Sequence, residues 1–139
     1  APYDTDICRW NIVSKDKEKA VGIVLQGFTL ANYGHHRFKM KGLLPDKKYH
    51  FYNRVLKYDI HRMGDLINTM APVHVKQDSL VHGIISRFKK LDGEVEDFSV
   101  NGSVLCGSGV QLSQSYAGTG FNTNTAMYQD YDARMYLVE

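Results

Sequence analysis

Apolar and polar positions along the chain change period several times, and those changes set out the elements. Residues 7–14, Ile-Cys-Arg-Trp-Asn-Ile-Val-Ser, predict a strand carrying Trp10, and a charged turn follows from Lys15 to Lys19. Residues 20–28 are a dense apolar run, too short for a typical helix and rich in β-branched side chains. Such a run predicts a central strand buried on both faces, with Gly22 marking a bulge or a close approach. Residues 36–41 alternate, placing Phe38 and Met40 inward and Arg37, Lys39 and Lys41 outward, the period of a strand with one wet face. Pro45 and Asp46 then predict a turn. Residues 48–56 resume as a strand, with Tyr49, Phe51 and Asn53 on one face and His50, Tyr52 and Arg54 on the other.

The second half is more broken. Gly64, Asn68 and Pro72 interrupt residues 59–78, which read as mostly irregular with short extended pieces near Val73 and Val75. Over 79–91, Ser79 is a candidate cap, and Leu80, Val81, Ile84, Ile85, Phe88 and Leu91 recur at helical spacing. A short helix is expected there. Gly83 and the adjacent Ile pair leave a pair of strands as the alternative. Asp92-Gly93 signals a turn, and the acidic stretch from Glu94 to Asp97 reads as solvated. Asn101-Gly102, between Phe98–Val100 and Ser103–Leu105, predicts a hairpin with a type I′ turn. Glycines 107 and 109 read as turns, Gly118 to Thr125 as a small polar loop, and residues 133–138 as a last strand. Many short strands separated by turn residues, with at most one helix, predict an all-β, antiparallel sandwich or barrel.

Length and composition narrow this further. The 139 residues suit one domain, and a hydrophobic share of 43% excludes wholesale disorder. The chain is too short for a complete (β/α)₈ barrel, which takes about 250 residues. No apolar run approaches the roughly 20 residues of a membrane helix. The opening Ala-Pro-Tyr-Asp-Thr-Asp has neither the basic start nor the apolar stretch of an export signal, and it lacks an initiator Met. A processed protein or a fragment of a larger one is the expectation. Cys8 and Cys106 form no framework. Charge is uneven: residues 1–90 carry 16 basic and 8 acidic side chains, and residues 91–139 carry 1 and 7. Interleaving of the two halves in one fold is expected to offset them.

Candidate chemistry is sparse. Six histidines lie outside any HExxH or tight Cys/His cluster, so no metal and no cofactor is expected. The glycine pairs 107/109 and 118/120 lack the spacing of a phosphate-binding loop, and no Ser nucleophile elbow is present. Retaining glycosidases need two carboxyls about 5–5.5 Å apart across the bond they break, which the run at 92–97 does not enclose. Basic residues 39–57 carry no nucleic-acid motif, so neither nucleic acid nor membrane is an expected partner. Nine Tyr and one Trp remain. Tyr116, Phe121, Tyr128 and Tyr131 around the polar loop are a candidate ligand platform on which a sugar ring stacks, although core or interface filler is the simpler reading of the same rings.

Several segments together resemble one known family. They are Met40-Lys-Gly-Leu-Leu-Pro-Asp-Lys-Lys-Tyr49, Ser99-Val-Asn-Gly-Ser-Val-Leu105, Gly109-Val-Gln-Leu112 and Tyr131-Asp-Ala-Arg-Met-Tyr-Leu-Val-Glu139. Trp10-Asn-Ile-Val-Ser14 with its charged turn, and Ala71-Pro-Val-His-Val-Lys-Gln-Asp78, extend the likeness over nearly the whole chain. In order and spacing they resemble the C-terminal domain of glycoside hydrolase family 36 (melibiase-type) bacterial α-galactosidases.

The resemblance implies a β-sandwich at the end of a larger enzyme, packed against a catalytic (β/α)₈ barrel. It implies a parent that removes terminal α-galactose from melibiose- or raffinose-type sugars with retention, and that forms a homo-oligomer such as a tetramer; a cytoplasmic location is the expectation from the missing export signal. Both catalytic aspartates of the family belong to the barrel, and neither of their segments occurs in this sequence. No catalytic role is therefore carried onto any residue here. Two other readings stand beside this one: a carbohydrate-binding module that takes a galactoside on the Tyr/Phe platform, and a small independent enzyme with a cross-strand site. The segment 59–91, with its apolar stripe, is expected to cover an open face of the sandwich.

Overall fold

The computed structural model describes residues 7–28, 37–59, 74–76, 79–113, 116–117, 125–126 and 130–139. The chain divides into two compact units. One comprises Ala1–Arg54, Val95–Ser113 and Tyr128–Glu139; the other comprises Val55–Glu94 and Gln114–Met127.

The first unit is an antiparallel sandwich. Its main layer is a five-stranded sheet built from β1 (Ile7–Val13), β2 (Ala20–Gln26), β4 (Lys48–Asn53), β7 (Asp97–Asn101) and β11 (Ala133–Val138), in the order β1-β2-β11-β4-β7. The facing layer holds the short pair β3 (Arg37–Phe38) and β8 (Val110–Gln111), the segment after β3, and helix α2 (Gly102–Cys106). The last strand lies at the centre of the sheet between β2 and β4, so acidic and basic halves of the sequence interleave as expected. Across that boundary His50 meets Asp97 at 2.8 Å and Lys19 meets Glu139 at 3.9 Å.

Period-two alternation decides what the sheet buries. Ala20 and Val24 of β2, Tyr49 and Phe51 of β4, and Tyr136 and Val138 of β11 face the second layer. There they meet Phe38, Met40, Leu43, Leu105, Val110 and Leu112. Rings dominate this core: Phe38 lies 4.9 Å from Tyr136, and Phe51 lies 5.5 Å from Tyr136 and 5.0 Å from Phe98. The alternation expected for 36–41 and 48–56 is present in 37–41 and 48–53. Gly22 marks a close approach, not a bulge. Pairing of β2 is unbroken on both sides, and a Cβ at Gly22 would stand 2.3 Å from Cζ of Phe38. The missing side chain is what lets that ring lie over the sheet.

Three sequence expectations are corrected. Residues 20–28 are not buried on both faces: Val21 and Ile23 are half-buried, and Leu25 is exposed. No type I′ hairpin forms at Asn101-Gly102. The left-handed backbone that turn needs is absent there, and β7 runs directly into α2. Gly102 serves a close approach instead. Its N–H donates to the Lys47 carbonyl at 2.9 Å, and a Cβ would lie 2.0 Å from the Leu44 carbonyl oxygen. Glu94 and Glu96 are buried, not solvated. Glu96 Oε1 accepts from the Ser113 N–H, and its own N–H donates to Asn53 Oδ1 at 2.8 Å. The N–H that Ser113 donates to the carboxylate offsets part of the cost of burying it.

The second unit contains β5 (Lys57–Asp59) paired with β6 (Lys90–Asp92), β9 (Tyr116–Ala117) paired with β10 (Thr125–Ala126), and helix α1 (Leu80–Phe88). The helix resolves the alternative over 80–88, while Lys90 and Leu91, expected to continue it, belong to β6. Ser79 caps it by accepting from the His82 N–H at 3.1 Å, which satisfies one of the free donors of the first turn. The end of the polar loop expected over 118–125 pairs as β10; the rest of that loop, and most of 59–78, lie outside the described residues. Residues 74–76 carry no regular element.

Candidate docking face

The outer face of the five-stranded sheet is apolar across three neighbouring strands. Even-numbered residues of β1 and odd-numbered residues of β2 and β11 point away from the core, and the register stacks them into rows. Ile12 pairs with Val21, which pairs with Leu137, which pairs with Tyr52 of β4. Trp10 pairs with Ile23, which pairs with Met135. Cys8, Leu25 and Ala133 form the third row. Ile12 is 64% exposed and Trp10 43%, and the middle of the patch is half-buried by its neighbours.

The remaining margin is polar. Lys48 and His50 of β4 stand beside Asp97, Ser99 and Asn101 of β7. His50 stacks on Tyr52 with ring centroids 4.9 Å apart while its Nε2 meets Asp97. An apolar centre bounded on one side by hydrogen-bonding groups is the anatomy of a protein–protein contact. An antiparallel sheet with one wet face normally alternates apolar and polar side chains. Here β2 reads Ala-Val-Gly-Ile-Val-Leu and β11 reads Met-Tyr-Leu-Val, as strands covered on both sides do. The apolar run at 20–28 is the signal of this face; its residues are composed for two-sided burial that the sandwich supplies on one side.

The four residues of the candidate sugar platform are placed unevenly. Tyr131 is exposed, sits in the left-handed region at φ 56°, and donates its N–H to the Gly27 carbonyl at 2.8 Å. Its ring meets Phe28 edge to face at 5.1 Å. Tyr116 contributes its backbone to β9, and its side chain lies outside the described residues, as do Phe121 and Tyr128. Among the described residues no three of His, Cys, Asp or Glu are grouped to hold a metal ion. Cys8 and Cys106 are free thiols. No helix among the described residues is long and apolar enough to cross a membrane.

Residues 7–138 match the model of the glycosyl hydrolase family 36 C-terminal domain. Among solved structures, the chain is similar to the GH36 α-galactosidase AgaA from Geobacillus stearothermophilus, at 14% identity and a TM-score of 0.54, covering 100% of this chain and 12% of that one. A double variant of the same enzyme in complex with raffinose gives 14% identity, a TM-score of 0.55 and the same coverage. The α-galactosidase from Lactobacillus brevis gives 16% identity and a TM-score of 0.50, covering 96% of this chain and 11% of that one. These likenesses are of fold. The chain spans about 12% of the length of the solved enzymes that it resembles. Among curated proteins none matches it.

Proposed function

Because this chain belongs to the glycosyl hydrolase family 36 C-terminal domains, we propose that it serves as the noncatalytic C-terminal domain of an α-galactosidase acting on melibiose- or raffinose-type sugars. In this reading the domain packs against the catalytic (β/α)₈ barrel of the same chain through the outer face of β1, β2 and β11. The observation that carries it is the two-sided apolar composition of β2 and β11 beside exposed Trp10 and Ile12. Patches of this kind on soluble proteins mark places where another protein surface sits. Bond breaking is left to carboxylates outside these residues, and the domain's role is to keep that neighbour folded.

The test uses the larger natural chain that carries these residues. It hydrolyses raffinose, and the double substitution Trp10→Asp with Ile12→Asp lowers its thermal midpoint, because both side chains are exposed in the domain itself and are lost only from the contact. Hydrolysis by the 139 residues alone would sink the reading. So would a natural reading frame with no further domain, or galactoside binding to the isolated chain with no effect of the double substitution on the larger one.

A further inference from the structure

Asn-Gly is the dipeptide at which a polypeptide most readily attacks itself. The glycine nitrogen, unhindered by a side chain, adds to Cγ of the asparagine. The sequence holds one such pair, Asn101-Gly102, and one slower counterpart, Asp92-Gly93. At both, the nitrogen that would attack is already engaged. Gly102 N–H donates to the Lys47 carbonyl at 2.9 Å, and Gly93 N–H donates to the Leu56 carbonyl at 2.8 Å. At the first pair the backbone is also set against reaction. Ring closure requires Cβ and the glycine nitrogen to eclipse one another about the Cα–C bond, whereas Asn101 is extended at ψ 143°. Turning it would swing Gly102 out of its seat, where it is buried against Leu44 and Tyr49. Asn101 is itself paired with Lys48 across the β4–β7 ladder.

We propose that Asn101 is a modification site that folding withholds and unfolding releases, so that the chain keeps a chemical record of time spent unfolded. The site is independent of what covers the outer sheet face. In the unfolded chain ψ of Asn101 is free, and water replaces the Lys47 carbonyl. The Gly102 nitrogen then gives its proton to solvent and bonds to Cγ. The bond from Cγ to Nδ2 breaks, and ammonia leaves. Water opens the cyclic imide at either carbonyl, giving Asp or, with the main chain rerouted through Cβ, isoaspartate. One water is consumed and one ammonia released, and nothing is oxidised or reduced. Isoaspartate adds a methylene to the main chain where β7 runs into α2. That junction has no slack. A Cβ on Gly102 would lie 2.0 Å from the Leu44 carbonyl oxygen, and the N–H groups of Gly102 and Ser103 donate to Lys47 and Pro45, each at 2.9 Å. A lengthened chain cannot meet both carbonyls while β7 keeps its register with β4. Unfolding that outlasts the reaction thereby becomes irreversible.

Peptide mapping by mass spectrometry tests this in the natural protein that carries these residues, with electron-transfer fragmentation to tell isoaspartate from Asp. Residue 101 is followed in the folded protein and in guanidinium chloride, in the same warm, mildly alkaline buffer. Conversion is expected to be at least about tenfold slower in the folded protein, because it must await opening of the β7–α2 junction. Gly22→Ala, whose added Cβ meets Phe38 and Met40 and none of the groups that hold Asn101, is expected to speed conversion in the folded protein several-fold by lowering the stability that closes the site. After partial conversion in guanidinium chloride and dilution, isoaspartate at 101 is expected to be several-fold scarcer in the soluble, refolded fraction than in the precipitate. Equal rates in the folded and unfolded protein overturn the proposal. So does a folded rate that Gly22→Ala leaves unchanged, and so does isoaspartate shared equally between the soluble fraction and the precipitate.

Discussion

Replacing Gly102 by Ala tests whether Asn101-Gly102 marks a close approach or a hairpin turn. An Ala Cβ would lie 2.0 Å from the Leu44 carbonyl oxygen and 3.0 Å from Cε2 of Tyr49, a ring that is fully buried. Carbon–oxygen contacts close at about 3.3–3.6 Å, so the backbone of 44–47 must retreat by more than ~1 Å. That same backbone accepts from Gly102 N–H at Lys47 and from Ser103 N–H at Pro45, each at 2.9 Å. Weakening two such bonds costs about 0.5–1.5 kcal/mol each, and overpacking adds about 1–3 kcal/mol. Ala returns at most about 1 kcal/mol of helix propensity. The net loss is about 1–5 kcal/mol, read by urea denaturation as a lower midpoint at unchanged slope. Gly83 supplies the control. It lies inside α1 with nothing within 4 Å of its would-be Cβ, so Gly83→Ala is expected to stabilise α1 by about 0.5–1 kcal/mol. Asn101→Ala separates the two readings of the pair: its side chain makes no cap bond and its backbone is extended, so little is lost, whereas a type I′ turn would suffer. A neutral Gly102→Ala, or an Asn101→Ala as damaging as Gly102→Ala, would refute the reasoning.

Gly22→Ala is expected to destabilise by about 1–3 kcal/mol, since Cζ of Phe38 must yield and that ring is held between Tyr136 and Phe51; a urea midpoint equal to wild type would contradict it. Asp16 carries a pH prediction. The Ser14 hydroxyl, and then the Glu18 N–H, donate to its carboxylate and hold its pKa below the ordinary value. The folded pKa being depressed, this contribution is present above the unfolded carboxylate pKa and is lost as pH falls through the folded one. Asp16→Asn should therefore be less stable than wild type at neutral pH, and the difference should shrink on acidification; a gap that persists in acid would count against this pairing.

What the sequence disclosed depended on the range over which each signal acts. The β4 alternation and the Ser79 cap are written in neighbouring residues, and both are present as expected. Gly22 carried two readings, and only the ring of Phe38, sixteen residues away, decides between them. Asn101-Gly102 misled because a short-range turn preference competes with a backbone 55 residues distant at Lys47 and wins only where nothing approaches. Glu96 misled for the same reason: an acidic run reads as solvated until Ser113 and Asn53 are folded against it. Of the platform residues, Tyr131 is placed, beside Phe28, a partner that spacing along the chain does not reveal.

The outer sheet face also bounds the shape of the surface that the proposed docking would bring onto it. Its apolar part ends where β4 begins, because His50 and Lys48 replace the aliphatic residues and Asp97 fixes the imidazole. Covering that margin with apolar surface would strand charges without water, a loss that the exposed patch on β1, β2 and β11 does not incur. Strands stand about 4.8 Å apart, so three of them set axes roughly 10 Å apart from first to last. One α-helix with its side chains is about 10–12 Å across. The apolar strip is therefore the width of one helix laid along the sheet, with Tyr52 at its border able to give one face to the helix and its other to His50. The outer ring of a (β/α)₈ barrel presents helices of that width, and a sheet-on-helix contact of this kind would leave the β4–β7 margin hydrated.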